Sequence, residues 1–166
     1  MKGDHTTLLY LMQLNSDISL DQEDLIKFGL KSAHITNSGY VMIQLNKETK
    51  LMLHRAILGE VEYFVDHING NKLDNRKCNL RQATKNQNEH NTPMRATNTS
   101  GYKGVSWAKQ NKKWQAQITV NSKHKHLGFH TTKEAAARAY NRAALEYHGE
   151  FAYLNEIVEV DDGLVI

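Results

Sequence analysis

One stretch limits the fold more than any other, residues 65–91, VDHINGNKLDNRKCNLRQATKNQNEHN. Between the Asn69-Gly70 pair and Arg81 its only large apolar residues are Leu73 and Leu80, too few to bury a helix or a long strand. Asn-Gly tolerates positive φ at both positions and marks a tight turn. The apolar run Tyr63-Phe64-Val65 ahead of it has strand character and ends in Asp66 and His67. Thr84 and Gln87 have the spacing of a capping box, so a helix is expected from there onward. The expected order is strand, long turn, short strand and helix, with Asp66-His67 on the first strand and Asn88 on the helix.

That arrangement suits hydrolysis of a phosphodiester. The reaction needs a general base for water and a divalent cation on the scissile phosphate and leaving oxygen. A neutral imidazole suits the first task, and hard oxygen donors suit Mg²⁺ or Mn²⁺. His67 is the candidate base, and Asp66 and Asn88 are candidate metal ligands, one charged and one neutral. Asn79, twelve residues after His67, lies in the turn, where its amide can bond backbone and keep the strands in register. A lone Asp-His pair is commonly a satisfied surface pair, and Asn-rich segments are commonly solvated turns. Here the spacing and the turn chemistry occur together.

The stretch resembles the HNH homing-endonuclease motif in its H-N-N variant, through DH, the NG turn, LDNR, NLR and the N-x-N tail. The resemblance implies a ββα-metal nuclease core with His67 as the first H, Asn79 as the structural N and catalytic-motif member, and Asn88 in the third, metal-binding place. Many members carry a metal-binding His at that place, and His90, two residues on, is the alternative ligand. The order G-Y…LHRAI…VDHING also recurs in that family, which extends the likeness back to about residue 39. His54 within it reads as either a packed or a phosphate-contacting side chain.

Charge is distributed unevenly. Residues 68–130 hold twelve Lys/Arg against Asp74 and Glu89, while the rest holds nine against sixteen acids, so an overall +3 conceals a basic centre. A nucleic acid would meet that centre. A chain of 166 residues is long enough for one ordinary domain or two small ones, and 40% apolar content with a single Pro argues for a folded chain. One cysteine, Cys78, excludes an intramolecular disulfide and a cysteine-based zinc site. The run Leu8–Met12 is too short to span a membrane and lacks a cleavage pattern. A cytoplasmic protein is therefore expected, in the host cytoplasm if it is phage-encoded.

Toward the N-terminus, Ser19 and Gln22 offer a capping box for a helix whose face would be Leu20, Leu25, Ile26 and Phe28. Residues 33–53 read as a hairpin with turns at 37–39 and 46–49, and LHRAIL as a helix ending at Gly59. Residues 92–101, with the only Pro, read as a linker. Beyond it, three short strands are expected at 103–108, 113–120 and 124–130. In the middle one Trp114, Ala116, Ile118 and Val120 share the inward parity, and Lys113, Gln115, Gln117 and Thr119 the outward one. An outward face of Lys, Gln and Thr can hydrogen-bond base edges and phosphates in a major groove. A helix over 131–148, capped by Thr131 with Glu134 and ended by Gly149, keeps an alanine face small enough to lie close to the sheet.

SGYKGVSW, KWQAQI, HLGFHTTKEAAARAY and HGEFAYLN resemble the plant APETALA2/ethylene-response-factor DNA-binding domain, over Ser100 to about Asn155. The resemblance implies a three-stranded sheet packed on one helix, with the sheet docked in the major groove. By position, base-reading places fall on Lys103, Ser106, Gln117, Thr119, His124 and His126, with Lys113 on the same outward parity. Several of these places carry other residue types in the plant proteins, so their target sequence does not transfer.

The expected protein is of the α+β class: an N-terminal region and HNH core over 1–91, a linker over 92–101, an APETALA2-type domain over 102–156 and a tail over 157–166. The expected function is that of a metal-dependent, strand-nicking endonuclease of a phage or mobile element. It would act as a monomer on double-stranded DNA, with no membrane partner and no small-molecule substrate. Its rival from another class is a catalytically silent, sequence-specific DNA-binding regulator.

Overall fold

A computed structural model describes residues 17–29 and 33–157 of the chain, and the run Leu8–Leu14 and residues 158–166 of the acidic tail lie outside them. Within these bounds the chain is mixed α and β, with antiparallel sheets and several helices. It divides into two units, Met1–Asn88 and Glu89–Ile166.

The first unit opens with helix α1 (Gln22–Phe28). Its N-cap is Asp21 and not Ser19, because Ser19 is drawn into extended pairing: its N–H donates to Leu73 O at 2.9 Å and its carbonyl accepts from Asn75 N at 2.8 Å. The expected apolar face holds at Leu20 and Phe28, which pack against the core of this unit, and is corrected at Ile26. Ile26 is 77% exposed, while Asp24 is the buried residue of this helix, with its Oδ2 3.5 Å from Lys77 Nζ. A helix of seven residues is too short to carry a full apolar stripe.

Strands β1 (His34–Ile35), β2 (Val41–Gln44) and β3 (Lys50–Met52) form an antiparallel sheet in that order, with Ile43 opposite Leu51. Asn46 Oδ1 accepts from the N–H groups of Glu48 and Thr49, which closes the β2–β3 turn. Helix α2 (Leu53–Leu58) follows directly and stops at Gly59, whose N–H bonds Arg55 O. Val41 and Ile43 alternate inward along β2, and Leu53 and Ile57 lie one turn apart on α2, so both elements present one apolar face to a shared core.

Strands β4 (Phe64–His67) and β5 (Leu80–Ala83) form an antiparallel ribbon, with Asp66 opposite Arg81 and His67 opposite Leu80. A two-stranded ribbon is marginal alone. Val65 and Leu80 anchor this one in the core of Val41, Ile43, Leu53 and Ile57. Each such buried side chain contributes roughly 1.5–3 kcal/mol. Helix α3 (Lys85–His90) starts from a reciprocal capping box: Thr84 N donates to Gln87 Oε1 at 2.8 Å, and Gln87 N to Thr84 Oγ1 at 3.3 Å. The division between the units falls inside this helix.

In the second unit, β6 (Val105–Ala108), β7 (Lys113–Val120) and β8 (Lys123–His130) make an antiparallel sheet in sequence order. Helix α4 (Lys133–His148) packs on it through Ala136, Ala137, Ala139, Ala143 and Ala144 against Val105, Ala116 and Ile118. Its cap is Thr132, not Thr131: Thr132 holds extended backbone and its Oγ1 accepts from Ala135 N at 3.1 Å, the reach of a cap to N3. The closest approach is at Gly104, φ +75°, where a Cβ would stand 2.1 Å from Tyr140 Cδ2. Only glycine fits there.

Candidate active site and nucleic-acid interface

The loop between β4 and β5 is built from side-chain amides. Asn69 Oδ1 accepts from Asn71 N, and Asn71 Oδ1 from Leu73 N, so consecutive Asx turns shape the backbone. Asn79 closes the loop: its Oδ1 accepts from Asn69 N at 3.0 Å, and its Nδ2 donates to Asp74 O at 2.7 Å and Asn69 Oδ1 at 3.0 Å. Asp74, 3% exposed, takes Arg76 on both oxygens and Asn69 Nδ2 at 2.9 Å. Those bonds, Arg76 foremost, hold its carboxyl down at about 2.

His67 and Asp66 are each 4% exposed, at the end of β4. Burial pushes the His67 imidazole below its ordinary pKa, against the opposing pull of the Asn75 hydrogen bond and the Asp66 and Asp74 charges. The ring is therefore neutral at pH 7 and able to take a proton. Its neighbours are aromatic. His54 lies 5.3 Å away, centroid to centroid, in an edge-on contact, and Tyr40 lies 5.9 Å away. His54 is packed, not solvent-facing, at 7% exposure; its Nδ1 is buried with no hydrogen-bond partner among the described residues, and burial takes its pKa to about 4. Asp66 Oδ2 accepts from Arg81 Nε at 2.9 Å and Nη2 at 2.8 Å across the ribbon.

Asn88 lies one turn into α3, its N–H on Thr84 O at 3.0 Å. His90, two residues on, belongs to the second unit, where its ring stacks flat on His148 at 3.7 Å and 7°. Among the described residues no three His, Cys, Asp or Glu side chains converge as a metal cluster.

On the second unit's sheet, cross-strand pairing gathers Ser106, Gln115 and Phe129 in one row, Gln117 with His126 in the next, and Thr119 with His124 beyond. Thr119 Oγ1 and His124 Nδ1 share a hydrogen bond at 3.0 Å, and Gln115 Nε2 donates to Gln117 Oε1 at 3.4 Å. Lys113, exposed, pairs with Ala108 at the end of this face. Lys103 is placed elsewhere: its Nζ donates to His90 O at 2.7 Å and Thr92 O at 2.5 Å, and burial lowers its pKa to about 8. Phe129, 42% exposed and 4.6 Å from the His126 ring, was not expected on this face. A bulge puts it there, since two steps on β7 from Gln115 to Gln117 match three on β8 from Phe129 to His126.

Comparison with known proteins bears on both units. The HNH endonuclease family profile matches residues 55–90, from within α2 through the ribbon to the end of α3. Protein 3.8 of Escherichia phage T7 is 38% identical over 90 residues, 54% of this chain and 74% of that protein. The chain belongs to the HNH endonuclease family. An uncharacterized HNH endonuclease of Acanthamoeba polyphaga mimivirus is 37% identical over 115 residues, 65% of this chain and 59% of that protein. An ethylene-responsive transcription factor of Arabidopsis thaliana is 41% identical over 58 residues, 34% of this HNH chain and 14% of the plant protein. The C-terminal region is thus similar to an APETALA2-type DNA-binding domain, and the two similarities together make DNA the partner. HNH nucleases are generally dependent on a divalent metal. No described helix is long and apolar enough to cross a membrane.

Proposed function

We propose that this HNH chain is a metal-dependent endonuclease of the homing type that nicks duplex DNA, with a ββα-metal core over 1–91 and an APETALA2-type reading domain over 102–156. The observation that carries the reading is the neutral, buried His67 beside Asp66 on β4, held by the Asn79-tied loop and followed by a capped helix bearing Asn88.

The donor chemistry fits Mg²⁺ or Mn²⁺. A buried carboxylate whose charge is met here by the Arg81 guanidinium is a site made for positive charge, and a carboxamide adds a second hard oxygen. Asp66 and Asn88 would hold the ion, with water and phosphate oxygens as the remaining ligands. The alternative ligand, His90, has its ring committed to His148. When bound, the ion supplies positive charge to the scissile phosphate and the leaving oxygen.

The chain's own residues do the rest. His67 takes the proton from the attacking water, and burial keeps it unprotonated until then. Asn79 keeps the loop closed, and so fixes the distance from β4 to β5. Ser106, Lys113, Gln117, Thr119, His124 and His126 are the proposed DNA-contacting set, and Lys103, whose ammonium is held by His90 O and Thr92 O, is left out of it. Gln and Thr can bond base edges, and Lys113 can meet phosphate.

The test is conversion of supercoiled plasmid to open circle. Activity with Mg²⁺ or Mn²⁺ that EDTA abolishes is the expected result. Binding without any cleavage would favour the silent regulator instead. Asn88→Ala should raise the metal concentration needed, and His90→Ala should not. The reverse pattern would make His90 the ligand.

A further inference from the structure

We propose that Asn75 is a positioning residue that holds the His67 imidazole in the tautomer with its proton on Nε2, so that Nδ1 carries the lone pair that receives the proton from water. The inference rests on His67 being the general base.

Asn75 is 0% exposed and one of the largest fully buried side chains. Its amide has two neighbours. Nδ2 is 3.3 Å from Lys72 O, and Oδ1 is 3.4 Å from His67 Nε2. A backbone carbonyl only accepts, so the NH₂ group must face Lys72, and turning the amide over would set two oxygens against each other. Oδ1 therefore faces the ring, and an amide oxygen also only accepts. The proton of the neutral imidazole belongs on Nε2.

The orientation of Asn75 is itself held from outside the motif. Its N–H donates to Ser19 O at 2.8 Å while Leu73 O accepts from Ser19 N at 2.9 Å, so residue 19 straps the loop on both sides of Asp74. Lys72 is fixed in turn by Nζ donating to Ser38 O at 2.9 Å. The contact to His67 is long, as hydrogen bonds of catalytic groups commonly are before substrate tightens them. A buried base in the wrong tautomer offers a proton where a lone pair is needed, and the step slows without loss of binding.

The experiment is long-range ¹H–¹⁵N correlation on the full-length metal-free protein at pH 7.5, where protonated and unprotonated ring nitrogens resonate far apart. It is paired with single-turnover plasmid cleavage. Expected are a His67 signal with Nε2 protonated in the wild type, and in Asn75→Leu a mixed or reversed tautomer. Asn75→Leu should also lose about 10- to 100-fold in kcat with KM for DNA unchanged. Asn75→Gln keeps a carboxamide with both its donor and its acceptor, so it should keep more of the Nε2–H tautomer and of kcat than Asn75→Leu. A wild-type signal with Nδ1 protonated overturns the proposal, whether or not Asn75→Leu folds. So does an unchanged tautomer in Asn75→Leu, or an equal loss in Asn75→Gln and Asn75→Leu. Full cleavage by His67→Ala would instead remove the general-base reading and leave the tautomer assignment standing.

Discussion

Replacing His54 by Leu should flatten the acid limb of the stability curve. His54 is 7% exposed between Tyr40 and His67, and burial takes its pKa from 6.5 to about 4. In the unfolded chain it binds a proton at its ordinary pKa, and in the folded chain it resists. The folded state therefore holds its full advantage above pH 6.5 and loses it as the pH falls through 4. Integrating between those two values gives a loss of about 2 kcal/mol at pH 5 and about 3 kcal/mol near pH 4. The assay is urea unfolding of the full chain at pH 7.5 and pH 5, for wild type and His54→Leu. The wild type should lose about 2 kcal/mol more than the variant between the two conditions. Equal losses would mean that His54 is hydrated or paired when folded, and the packing argument around His67 would fail with it.

Two further perturbations test the packing of each unit. Gly104→Ala drives a methyl group into Tyr140 at a φ of +75°, and should cost about 2–4 kcal/mol, read as a lowered Tm of the sheet-and-helix unit. An unchanged Tm would show that β6 and α4 are less closely packed than described. Arg81→Ala removes the guanidinium from the buried Asp66 carboxylate and should destabilise by roughly 3–5 kcal/mol. Added Mg²⁺ should raise the Tm of that variant more than that of the wild type, because the ion binds only the folded state. No difference would argue against Asp66 as a ligand.

The parts of this fold that local rules control were legible in the sequence. Thr84 and Gln87 cap α3 reciprocally because N-cap and N3 meet by helix geometry alone, and the Asn69-Gly70 turn and Gly59 stop obey equally local rules. The caps of α1 and α4 were not. Ser19 and Thr131 fit the capping-box spacing, but Ser19 pairs with the distant loop and Thr132 holds the extended backbone of the cap, so the caps are Asp21 and Thr132. Phe129 was hidden because alternation along β8 assumes an unbroken period of two, which fails at the bulge beside Gly128. Asn75 was visible only as part of LDNR. Its partners are His67, Lys72 and Ser19, two of them brought to it by the folded loop and the strand-like segment at residue 19. The alternating inward residues of β7 lie where period two puts them, with Ala116 and Ile118 buried.

The measurement that bears most directly on the central claim is cleavage and binding by His67→Ala on one DNA substrate with Mg²⁺. Loss of a positioned general base should cut the rate by ~10² to 10⁴. The affinity for DNA should stay within about twofold, because the contacts proposed to hold duplex DNA lie on the β6–β8 sheet. Near-normal cleavage by this variant would contradict the account, since no other group in it is assigned to take the proton from water.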